Sequence, residues 1–226
     1  MRSIRAALSI LFTALFTFAG LAMSQVPAPP EDIKRLLQSF NDDQIPFNDK
    51  PLIIGQDSAK ITAILFYAPS SEDGQIFMRR VFPTLKEDYV DKGKLRLVIM
   101  DYPLNWKDMQ ALAGLRCLPA GKHLEAILRT ARDDWTRTLF NMHDFNDVPR
   151  RFTQLTGRFD LPEDQAIKCM RNLGVLGHVE GLRRLAVEAW NIQESPALAV
   201  GGEVLRNISA VSARPTIDFL RKQGME

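Results

Sequence analysis

The stretch Ile61 to Leu85, ITAILFYAPSSEDGQIFMRRVFPTL, constrains the fold more than any other part of the chain. Ile61 to Tyr67 is a run of apolar and β-favouring residues without a charge, and it reads as a strand covered on both faces. Pro69 ends it. Ser70 and Ser71 can each cap the element that follows, and Asp73, three residues after Ser70, gives a capping-box-like spacing with the shorter acid. Ile76, Phe77, Arg80, Val81 and Leu85 continue at roughly helical spacing, and Pro83 predicts a kink. A helix entered directly from a strand presents its first turn to solvent at the strand's end, where backbone N–H groups favour binding and chemistry.

Around this unit the chain reads as an α/β fold. Pro51 to Gly55 predicts a short strand, and Lys94 to Met100 a second buried strand parallel to the first, making a βαβ unit. From about Asp108 to Trp190 the period is helical almost throughout. Helices are expected over Met109–Leu118, Leu124–Trp135, Val148–Phe159, a segment opened by Pro162 with Glu163 and Asp164, and Leu176–Trp190. Ala197–Val200, Gly201-Gly202 and Glu203–Leu205 read as a hairpin, and Pro215–Gln223 as a closing helix with Ile217, Phe219 and Leu220 inward.

At the N-terminus, Arg2 and Arg5 precede an apolar core from Ala6 to Ala22, and Ala22-Met23-Ser24 offers the small residues of a cleavage site. Residues 1–24 are therefore expected to be a signal peptide, with export to the periplasm and no membrane association after cleavage. Residues 25–50 are expected to be a Pro-rich linker and a short amphipathic helix over Glu31–Phe40. The formal net charge is +2, and without the two leader arginines 27 basic side chains balance 27 acidic ones. Such a neutral chain offers no electrostatic reason to bind nucleic acid.

The order of these elements resembles the DsbA family of the thioredoxin superfamily. In that family a strand ending in Phe leads to Cys-Pro-x-Cys at the opening of a helix, followed by a Pro-Leu-like step. Here Phe66 and Val81-Phe82-Pro83-Thr84-Leu85 frame the same interval, and the cysteine positions fall on Ser71 and Gly74, within Ser71-Glu72-Asp73-Gly74. Tyr102-Pro103-Leu104 resembles the family's Phe-Pro-Leu step, and Ser195-Pro196 its Thr-Pro dipeptide, whose peptide bond is cis. The resemblance runs from about Pro51 to Gln223. It implies a thioredoxin-like fold with an inserted all-helical domain: a core in two parts, 51–107 and 191–226, around a helical insertion, 108–190.

What the resemblance implies about chemistry turns on the missing thiols. A serine hydroxyl at Ser71 cannot exchange disulfides, Gly74 cannot resolve a mixed disulfide, and Glu72 and Asp73 oppose an anion there. The expected role is a non-catalytic module that binds an exported protein or extended peptide. The family's peptide groove would have Ser195, Pro196 and Ala197 as its floor and Pro69 and Ser71 as its rim. No cofactor is expected. The enzymatic alternative is a thiol-disulfide oxidoreductase or isomerase, or a glutathione-dependent enzyme with Ser71 holding the thiolate, as in kappa-type glutathione transferases. An assembly factor acting as a homo-oligomer is a third possibility, and the sequence leaves the oligomeric state open.

Cys117 and Cys169, the only cysteines, lie on separate predicted helices. They resemble the extra disulfide that some DsbA-like proteins carry in the helical domain; buried free thiols and a displaced redox pair are the other readings. His123, His143 and His178 show no metal-ligand spacing and are expected at the surface. Trp106, Trp135 and Trp190 are expected on helix faces or at helix ends, in the core or lining a groove.

Overall fold

The structure, a computed structural model, describes residues 45–119, 121–132, 144 and 147–225. The expected signal peptide, the expected linker and helix as far as residue 44, His143 and Trp135 lie outside the described residues.

A sheet in the order β1-β3-β2-β4-β5 runs through the molecule. Its strands are β1 (Leu52–Ile54), β2 (Ile61–Tyr67), β3 (Leu95–Asp101), β4 (Ala197–Val200) and β5 (Glu203–Leu205). β2 and β3 are parallel, with Ile61 opposite Leu95 and Tyr67 opposite Asp101. β4 runs antiparallel to β2, with Ala197 beside Phe66. The central strand coincides with the charge-free run, because a strand with neighbours on both sides and layers on both faces has nowhere to put a charge.

Strand alternation sorts the core into two layers. Ala63, Leu65 and Tyr67 of β2, Leu97 and Ile99 of β3, and Leu198 of β4 face one side. They pack there with Phe77, Val81 and Leu85 from α1 (Glu72–Arg80), the short α2 (Phe82–Leu85) and the junction between them, and with Leu220 of α8 (Arg214–Lys222). Phe66, Met100, Ala197 and Ala199 face the other side. α7 (Leu173–Trp190) covers them with Leu182, Ala186 and Trp190. Pro83 sits in the first turn of α2, so the predicted kink is a break at Val81, followed by a π-helical turn over Lys86–Val90.

Among the described residues the helices between β3 and β4 are α3 (Trp106–Arg116), α4 (His123–Arg132), α5 (Asp147–Thr156), α6 (Glu163–Arg171) and α7. Two of them start three residues before the expected position, and the cause is the same in both. Asn105 accepts hydrogen bonds from Lys107 N and Asp108 N at the start of α3, and Asn172 accepts from Val175 N at the start of α7. Pro162 occupies the cap of α6 rather than its first turn. Cys117 and Cys169 form a disulfide that ties the C-terminus of α3 to α6, with Cα atoms 6.3 Å apart. The β4–β5 turn needs both its glycines: Gly201 has φ +57° and Gly202 +96°. Among the described residues no helix is long and apolar enough to cross a membrane.

The interior of α3 departs from its sequence pattern. Although its core is rich in small and apolar residues, Asp108, Gln110 and Arg116 are all buried as well. Arg116, 1% exposed, donates Nε to Asp101 Oδ2 at 2.7 Å and Nη1 to the carbonyls of Lys50 and Asn48 at 2.7 and 3.1 Å. It thereby fastens the segment before β1 to the end of β3.

Candidate functional site

The end of β2, the start of α1 and the start of β4 meet at one point. Ser71 is the N-cap of α1: its Oγ accepts from Gly74 N at 3.0 Å. The same hydroxyl donates to the main-chain carbonyl of Ser195. Ser195 in turn accepts from Ala68 N at 2.8 Å through its own Oγ, and the Ser195-Pro196 peptide bond is cis. Gln75 closes the turn from within, donating Nε2 to the Pro69 carbonyl at 2.6 Å.

Ser70 has a different task from the one its spacing to Asp73 suggested. Its N–H and Oγ both donate to the carboxylate of Asp108, each at 2.7 Å, and Leu104 N donates to the same carboxylate at 3.0 Å. The capping-box reading is corrected accordingly: Ser71 is the cap, and Ser70 is held by α3. Asp108 is fully buried, and this burial pushes its carboxyl up to about 6, against the lowering effect of its hydrogen bonds. Burial also raises the Tyr67 phenol, which sits one residue before the turn and shares a hydrogen bond with Thr130.

The expected exposure of the first helical turn is met by Glu72 and Asp73 only; Ser71, Gly74 and Gln75 are buried. Pro69, Ser71, Ser195, Pro196 and Ala197 are brought together, and all five are buried, with Ala197 inside β4. The exposed apolar side chain on the adjoining loop is Leu104, 42% accessible and tied to Ser70 through Asp108. In the sequence it belongs to the Tyr102-Pro103-Leu104 step, and nothing around it marks it as a surface residue.

The backbone at Ser71 and Gly74 has the spacing that a dithiol would need. A Cβ placed on Gly74 would stand 3.1 Å from Ser71 Cβ and 3.2 Å from its Oγ. Side chains at these two positions therefore face each other across the first turn of the helix, as a Cys-x-x-Cys pair must. With Oγ engaged by Gly74 and Ser195, Ser71 has neither a thiol partner nor a base beside it among the described residues.

The histidine expectation needs correction. His123 is 4% exposed at the start of α4, and neither ring nitrogen has a hydrogen-bond partner among the described residues. Burial lowers its pKa. His178 is half-buried, with its ring 5.3 Å from that of Phe47. Trp190 packs on Phe66, ring centroids 5.7 Å apart, so it belongs to the core layer behind the site. Cys169 is fully buried and Cys117 half-buried, and their bridge belongs to the α3–α6 junction, not to the Ser71 turn.

A parallel β2–β3 pair, an antiparallel β4 entered through a cis-proline and a helix opening against that proline define a thioredoxin fold, here with a helical insertion of the DsbA type. The chain belongs to the thioredoxin family: the family model described as Thioredoxin matches residues 48–218. Among solved structures it is similar to α-DsbA1 of Wolbachia pipientis, with a TM-score of 0.62 and 17% identity over 79% of this chain and 92% of that one. It is also similar to DsbA of Chlamydia trachomatis, with a TM-score of 0.61 and 17% identity over 77% of this chain and 93% of that one. A curated relative from Rickettsia prowazekii, named "Putative protein-disulfide oxidoreductase", is 18% identical over 76% of this chain. The match spans 61% of that relative's length.

Proposed function

We propose that this chain is an exported protein that uses a DsbA-like scaffold to bind an extended polypeptide without exchanging disulfides. The observation that carries this reading is the state of Ser71. The residue stands at the nucleophile's place, opposite Gly74 and beside Ser195-Pro196, but its hydroxyl is committed to the cap and to the Ser195 carbonyl. The burial of the five groove residues moves the partner's contact surface outward, to Leu104 and the exposed Glu72 and Asp73. The test combines two measurements on the mature protein. Insulin reduction and oxidative refolding should stay at background, and calorimetry with a carboxymethylated, permanently unfolded protein should show binding that Leu104→Asp weakens. Catalysed exchange by the wild type, or binding indifferent to Leu104, overturns the proposal.

A second reading takes support from the relatives' names and from the half-buried Cys117: thiol chemistry displaced to the Cys117–Cys169 bridge. A structural bridge stays closed until potentials below roughly −300 mV, whereas an exchangeable one opens near roughly −200 mV. Alkylation and mass measurement across a series of redox buffers separates the two.

A further inference from the structure

α1 and α2 on one side and α4 on the other enclose a cleft of about 380 Å³ that the Ser71 site does not use. Its apolar walls are Met78, Phe82, Pro83 and Leu128, and its rim carries Arg79, Lys86 and Arg132. Among the described residues no carboxylate lines it. Arg79 spends one guanidinium nitrogen on the Ala131 carbonyl, and Lys86 is paired with Asp91 at 2.8 Å. Arg132 is exposed.

Two properties of this cleft select a ligand. Apolar walls gain from covering hydrocarbon and so removing it from water. A rim with two guanidinium groups and, among the described residues, no acid favours a carboxylate, which such groups can bind through paired N–H donors. The volume lies at the small end of the range for pockets that take organic ligands, roughly 300–1,000 Å³. A bare inorganic anion would leave the walls wet, and an uncharged hydrocarbon would leave the rim without a counter-charge.

We propose that the cleft between α1–α2 and α4 binds a small amphipathic carboxylate, a medium-chain fatty acid in chemical class, with its chain against Met78, Phe82 and Leu128 and its head at Arg79 and Arg132. The site is separate from the Ser71 turn, so it stands or falls independently of peptide binding.

Calorimetry on the mature protein with decanoate, decyltrimethylammonium, decanol and acetate, below micelle-forming concentrations, tests it. Methyl NMR of Met78 and Leu128 reports the location. Decanoate is expected to bind one to one and to shift both methyl signals, with the ammonium analogue at least about tenfold weaker and acetate inert. Arg132→Gln should weaken decanoate about fivefold, as loss of one exposed ion pair allows, and leave decanol unchanged. Its melting temperature should match the wild type, since Arg132 is exposed. Equal binding of the anionic and cationic chains, unmoved methyl signals, or an Arg132→Gln variant with unaltered decanoate affinity would each overturn the proposal.

Discussion

Ser71 donates its hydroxyl hydrogen to the carbonyl of Ser195, 124 positions away in sequence. One side chain thus caps α1 and pins the cis-proline segment to it. A thiolate in the same place could not donate this bond, so the serine converts a reactive position into a fastening between helix and sheet.

The fastening can be reversed. A Cβ at position 74 lies 3.1 Å from that of Ser71, a few tenths of an ångström short of the roughly 3.5 Å at which disulfide Cβ atoms begin to be found. Ser71→Cys/Gly74→Cys is expected to form a second disulfide and to reduce insulin at least about tenfold faster than the wild type. Neutralising Glu72 and Asp73 in that variant should raise the rate further, because adjacent carboxylates oppose a thiolate. An unbridged double variant would show that the frame of the pair is not kept.

Asp108 gives stability a pH dependence of definite sign. Its carboxyl is held at about 6 in the folded chain against an ordinary value of 3.8. Between these values the folded state holds more of this proton than the unfolded state does, so this contribution falls as pH rises from about 4 to about 6 and is then constant. His123 acts oppositely: burial lowers its pKa, so its contribution is lost as pH falls below 6.5. The difference in melting temperature between wild type and Asp108→Asn isolates the first effect. It should shift against the wild type from pH 4 to 6 and be level from 7 to 8. A flat or inverted difference refutes the assignment.

The buried pair of Arg116 and Asp101 should be costly to break and cheaper to remove. Arg116→Leu leaves Asp101, 2% exposed, without its cation, and is expected to destabilise by about 3–5 kcal/mol. Asp101→Leu/Arg116→Leu should recover part of that loss, although the carbonyls of Asn48 and Lys50 still lose their donor. Urea denaturation of the three proteins measures both numbers.

Removing the disulfide should matter to stability alone if it is structural. The bridge closes a separation of 52 residues, which in the chain-entropy account corresponds to about 4 kcal/mol. Cys117→Ala/Cys169→Ala is expected to lose about 2–4 kcal/mol in denaturant unfolding while peptide binding is retained. Loss of a thiol-exchange activity in this variant would support the displaced redox reading instead.

Much of the architecture was legible because its signals are local. The limits of β2 follow from a run without charge, the β4–β5 turn from two glycines, and the broken helix from Pro83. The site was legible only in outline. Ser71 and Gly74 could be placed by counting, but the choice between Ser70 and Ser71 as cap depends on Asp108, which lies 38 residues from Ser70 and claims both of its donors. His123 read as a surface residue because it shows no metal-ligand spacing to the other histidines, yet it is buried at the start of α4. Arg116 lies in the last turn of α3, and its partners lie on β3 and in the segment before β1.

The sequence by itself determined the strand and helix order, the family resemblance and the absence of a dithiol, since each depends on residue identity and short-range spacing. Only the tertiary structure decided that the Ser71 turn is buried, that its hydroxyl locks Ser195, and that charged side chains sit inside α3. Those facts rest on residues tens to more than a hundred positions apart, and burial with hydrogen bonding is a property of where the folded chain brings such residues together.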